Sequence, residues 1–123
     1  MDKLSLKELL HYIDESIDVV KMRFVPIESV DDFLRTPEGN EKLDAIILRI
    51  QTIGEAIKNI DKHHRGFMEQ AAPAEYWSHI IKLRELISHH YLDLDAEIIF
   101  DICEEKLDEL QGYIRTLERN ING

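Results

Sequence analysis

The chain has 123 residues, 44% hydrophobic but only 7% aromatic, with five Gly and three Pro. That is one domain's worth of chain, with too few turn formers for an all-β fold. Fifteen basic residues stand against 25 acidic, a net charge of −10, which repels nucleic acid at long range and confines any RNA contact to a local basic spot.

Leu6, Leu9, Leu10, Ile13, Ile17, Val20 and Phe24 recur at steps of three and four, predicting a helix from about Leu4 to Phe24. Ser5, with Glu8 three residues on, is the expected N-cap of a capping box, and Pro26 ends or redirects the chain. A polar connection runs from Glu28 to Asn40, punctuated by Pro37 and Gly39; within it Asp31 to Leu34 form a short turn that tucks Phe33 inward. A second helix starts near Asn40 and carries Leu43, Ile46, Ile47, Ile50, Ile53, Ile57 and Ile60. Gly54 inside it costs about 1 kcal/mol relative to alanine, so close approach of another helix is expected there. Asp61 to Pro73 reads as a loop. The third helix covers roughly Ala74 to Ser88, anchored by Trp77, Ile80, Ile81 and Ile87. Asp95 caps a fourth, with Ile98, Ile99, Ile102, Leu107, Leu110, Ile114 and Leu117.

Nothing alternates with period two, so the expectation is a single all-α domain over residues 1–123, an up-and-down four-helix bundle with one extra short helix or turn. A lone cysteine, Cys103, excludes an intrachain disulfide and fits a reducing cytoplasm. It reads as a small core residue. No signal-peptide core is present, and no apolar run approaches the roughly 20 residues that cross a membrane, so a soluble cytoplasmic protein is expected. Asp101, Glu104, Glu105, Asp108 and Glu109 read as a solvated acidic face, or one that meets a basic partner.

The chemistry concentrates between Arg84 and Tyr91. Arginine neutralises phosphate, histidine moves protons near neutral pH, and tyrosine offers a hydroxyl; together they suggest phosphate-ester chemistry. Tyr91, seven residues after Arg84, returns within about 20° of the same helix face, whereas His89 lands about 140° away. His89 therefore needs a loosened C-terminal turn or a second subunit. On composition alone Arg84 would be a surface arginine paired with Glu85 or Asp93, and Gly54 and Glu55 a packing spot and a solvated acid. His63, His64, His79, His89 and His90 raise a metal site, but adjacent histidines diverge by about 100° on a helix, so none is assigned.

Arg84, His89 and Tyr91 match the R-x(4–6)-H-x-Y signature, and in this the chain resembles the HEPN superfamily. Ile53-Gly54-Glu55-Ala56 is similar to the IGEA stretch of its HepT-like branch. Tyr91-Leu92-Asp93-Leu94-Asp95, followed by Ile98 and Ile99, resembles the continuation of that signature. The likeness covers about Asp32 to Leu110. It implies a dimeric, metal-independent ribonuclease, the toxin of a two-gene toxin–antitoxin system, with two signatures meeting at the dimer cleft and no cofactor. The implied partner is an MNT-type nucleotidyltransferase antitoxin that silences the toxin by adding AMP to the signature tyrosine. By position, Arg84 and His89 are the implied catalytic pair and Tyr91 the AMP acceptor and an RNA contact. One departure stands out: the family usually carries a short polar residue after the arginine, and here it is Glu85. A carboxylate there could pair with Arg84 or repel substrate phosphate. The alternative reading is therefore a degenerate HEPN module that binds nucleotide or partner without cleaving RNA.

Overall fold

The computed structural model describes residues 3–89 and 96–122. His90, Tyr91, Asp93 and Asp95 lie outside them. Helix α1 (Lys3–Phe24) buries Leu6, Leu10, Ile13, Ile17 and Val20, the stripe that the spacing marks out. Short α2 (Val30–Leu34) follows, and Phe33 is fully buried on it as expected. Helix α3 (Pro37–His63) and a 3-10 turn (Phe67–Gln70) lead to α4 (Ala74–His89). The C-terminal rod is α5 (Ala96–Asp101), a π-helical turn (Ile102–Lys106) and α6 (Leu107–Asn122). No strand occurs among the described residues.

Helix α1 packs against both α3 and α6, while α4 lies against α3. Isoleucines of α3 (Ile46, Ile47, Ile50, Ile53, Ile57, Ile60) meet those of α1 in one core. Trp77 of α4 closes one end: its indole Nε1–H donates to the carbonyls of Met68 and Ala72, at 2.9 and 3.1 Å. Along the α1–α6 seam, almost fully buried Gln111 donates to Asp14 and Asp18 and accepts from Lys21.

Some element ends differ from expectation. The backbone is helical from Lys3, so Ser5 lies inside the first turn and is not the N-cap. Helix α3 starts at Pro37 rather than near Asn40, because Thr36 accepts the Gly39 N–H at 2.9 Å while Pro37, lacking an N–H, occupies the first turn. Gly39 is then needed for space, since a Cβ there would stand 1.9 Å from the Asp32 carbonyl oxygen. Helix α3 also runs on to His63, and Phe67–Gln70 give the expected loop a 3-10 turn. Ile98 is 38% exposed rather than a core anchor. No described helix is long and apolar enough to cross a membrane.

Candidate active site

Helix α4 carries Arg84 to the place where α3 has no side chain. A Cβ on Gly54 would stand 2.6 Å from Arg84 Cβ and 2.8 Å from its Cγ. The arginine stem therefore lies on bare α3 backbone, which is the close helix approach expected at Gly54. Its side chain is only 16% exposed, and Nη1 donates to Glu55 Oε2 at 2.7 Å. Glu85, one of the two acids expected beside it, is not the partner seen; the carboxylate comes from the facing helix, and Asp93, the other, lies outside the described residues. Glu55 is accordingly no mere solvated acid. Arg84 Nε is buried without a hydrogen-bond partner among the described residues. An unmade bond of that kind costs about 1–3 kcal/mol, so packing and one ion pair hold this guanidinium against a local penalty.

Glu85, next in sequence, points elsewhere. Its Oε1 lies 4.0 Å from Lys58 Nζ, with both side chains about half exposed. One turn of α3 thus offers Glu55 to Arg84 and Lys58 to Glu85, two ion pairs crossing the α3–α4 seam. His89 is the last residue of α4, and the helix is unbroken from Arg84 to it. A regular helix sets the two Cα–Cβ directions about 140° apart. The third signature residue, Tyr91, lies outside the described residues.

Beside Arg84 a cleft of about 460 Å³ opens between α3, α4 and the C-terminal rod. Its walls are mostly aliphatic, including Ile53, Ile80, Leu83, Ile98 and Ile102, with His79, Asp101, Lys106 and Glu109 as polar groups. Tyr76 also lines it, packed edge-on against Trp77 and Tyr113, and burial raises its phenol well above the usual value. Cys103 is buried in the π turn, its thiol pushed up to about 12 by burial, which makes it an inert core thiol at neutral pH. The acids Asp101, Glu104, Glu105, Asp108 and Glu109 are all exposed, and Asp108 pairs with Lys21. No three His, Cys, Asp or Glu among the described residues gather into a metal-binding set.

Comparison with known proteins decides the family. A model described as "Ribonuclease HepT-like" matches residues 9–117. The chain belongs to the HepT-like family. It is 28% identical to "Putative RNase MJ0127" of Methanocaldococcus jannaschii, over 96% of this chain and 94% of that one. It is 26% identical to "Probable ribonuclease HepT" of Thermococcus cleftensis, over 95% and 99%. A second Methanocaldococcus jannaschii protein, "Gamma-glutamylcyclotransferase and putative RNase MJ0434", is 26% identical, and the match spans 51% of its length. No solved structure matches. In this HepT-like chain Glu55, next to the expected contact at Gly54, is the facing-helix residue that sequence reasoning undervalued. Its signal was present in the Ile53-Gly54-Glu55-Ala56 stretch, but the α3–α4 register that joins it to Arg84 is a tertiary fact.

Proposed function

We propose that this HepT-like protein is a metal-independent endoribonuclease and the toxin of a toxin–antitoxin pair. The observation that carries the reading is Arg84, a mostly buried guanidinium fixed at the seam where the family signature begins. Cleavage without a metal needs a base to take the ribose 2′-OH proton and an acid to protonate the leaving 5′ oxygen. It also needs a cation for the charge that grows on phosphate. Arg84 is the cation, and His89, from two copies of the chain, is base and acid. The products are a 2′,3′-cyclic phosphate and a free 5′-OH. A second copy also answers the spacing, since positions five apart on a regular helix lie about 140° around its axis. The aliphatic cleft beside Arg84, with partly exposed Ile98 in its lining, is consistent with such a dimer.

An MNT-type nucleotidyltransferase is the antitoxin in this reading. AMP on Tyr91 adds bulk and negative charge where an RNA phosphate must sit. The test is RNA degradation and growth arrest by wild type against Arg84→Ala and His89→Ala. Loss of both effects in the two variants supports the enzyme, and equal behaviour of all three removes it. Mass spectrometry after co-expression with a neighbouring nucleotidyltransferase gene should find AMP on Tyr91.

A second reading has its own observation: Glu55 already occupies Arg84 Nη1. If that carboxylate cannot be displaced, the chain is a binding module without cleavage. RNase activity that appears only in Glu85→Asn or Glu55→Gln would favour this degenerate form.

A further inference from the structure

Positive charge in this acidic chain is gathered in one place. From Lys58 to Arg84 there are five Lys and Arg against three Asp and Glu, whereas the remaining residues carry ten against 22. That segment is the end of α3, the connection and most of α4, and it leads to Arg84. We propose that Lys58, Lys62 and Lys82 form a path that grips the phosphates of single-stranded RNA flanking the one at Arg84. The proposal rests on the ribonuclease reading and adds the residues that hold the substrate strand.

The three lysines are exposed. Lys58 and Lys62 are separated by one turn of α3, about 6 Å along the axis and about 40° around it. The Lys58–Glu85 contact identifies the flank of α4 that faces them. Lys82 lies one turn before Glu85 on α4, and the Gly54–Arg84 contact sets the register of the two helices, so Lys82 stands nearer the level of Lys58 than of Lys62. The path thus starts one turn from Glu55, the residue that holds Arg84. Charge at the end of α3 has a simpler use, since Lys62 in the last turn complements the helix dipole. That does not account for Lys82, in the middle of α4, or for Lys58, more than a turn from the α3 end. Glu55, Asp61 and Glu85 are the acids beside these lysines; Glu55 is held by Arg84, and Glu85 partly neutralises Lys58.

A chain with ten excess negative charges needs such a spot to bind RNA at all. Each lysine that neutralises a phosphate releases condensed counterions, so binding should weaken with salt by a slope of about 0.7 per contact on logarithmic axes. The probe is a labelled single-stranded oligoribonucleotide with 2′-O-methyl sugars, which binds but cannot be cleaved. Its affinity is measured from about 50 to 200 mM salt, with folding checked by circular dichroism. Lys62→Gln with Lys82→Gln should lower the slope by about 1.4, and the two Lys→Arg replacements should restore it. Glu85→Gln, which frees Lys58, should steepen it by about 0.7. Lys7→Gln, an exposed position on α1, should leave it unchanged.

Wild-type slope and affinity in the double Gln variant, or no binding of the probe by wild type, overturns the path. Cleavage of ordinary RNA is assayed separately. A lysine-dependent slope without cleavage keeps the path and removes the ribonuclease; cleavage with an unaltered slope does the reverse.

Discussion

A methyl group at position 54 would meet Arg84 at its Cβ, not at the flexible end of the side chain. Gly54→Ala therefore cannot be absorbed by a swing of the guanidinium; α4 or the arginine stem has to shift. Alanine gains about 1 kcal/mol of helix propensity, but overpacking of this kind costs about 1–3 kcal/mol. The expected outcome is a net destabilisation of about 1 kcal/mol in urea unfolding, with RNA cleavage reduced as strongly as in Arg84→Lys. Glu55 makes a different prediction. Its pair with Arg84 is exposed on the carboxylate side, so Glu55→Gln should change stability by less than about 1 kcal/mol. On the proposed ribonuclease reading it also removes a negative charge from the guanidinium assigned to the RNA phosphate, so RNA affinity should rise. Fluorescence titration alongside urea unfolding separates the two effects, and unaltered affinity in Glu55→Gln would show that the carboxylate does not compete with phosphate.

The π turn at Ile102–Lys106 keeps the C-terminal rod's apolar face aimed at the core across an irregular step. Ile99 is buried before it, Ile102 and Cys103 within it, and Leu107, Leu110, Ile114 and Leu117 after it, with Leu107 N–H bonding back to the Ile102 carbonyl. The extra residue accommodates a five-residue step from Ile102 to Leu107 that a regular helix would rotate off the core. Deleting Glu104, exposed in that turn, should convert it to ordinary helix and leave Tm within about 5 °C of wild type. Deleting Glu15 instead should rotate Ile17 and Val20 about 100° out of the core and prevent cooperative unfolding. Calorimetry on the two deletions distinguishes a register device from a general tolerance of deletions. At this scale much was legible. The three- and four-residue steps of α1 and α3 and the buried Phe33 and Trp77 follow from local pattern. The Thr36-Pro37 start of α3 was readable chemistry that the Asn40 boundary overlooked. The five-residue step was visible too, but a pattern of apolar positions does not say whether a bulge or a break absorbs it. The Arg84–Glu55 pair was not legible, because it depends on how α3 and α4 align.

Acidity of the whole molecule has a specific meeting point where α1 and α6 close the bundle. Asp14 and Asp18 face Gln111 and Arg115 there, and Lys21 bridges Gln111 and Asp108. Glu118, on the same seam, has its carboxyl raised above the ordinary 4.5. Burial is the main cause, and the Asp14 charge and a shared hydrogen bond with Asp14 add to it, opposed by His11 and Arg115. The raised value fixes the sign of the pH effect. Below 4.5 the group is protonated in both folded and unfolded chains and contributes nothing. As pH rises from 4.5 through the higher folded value, the unfolded chain releases its proton more readily, so stability falls, and the deficit persists at neutral pH. Glu118→Gln removes that penalty. Its Tm should exceed wild type at pH 7, and the difference should shrink toward zero at about pH 4. Thermal melts of the two proteins at both pH values check this. A variant less stable than wild type at pH 7 would mean that Glu118 serves the seam more through Arg115 and His11 than it costs beside Asp14.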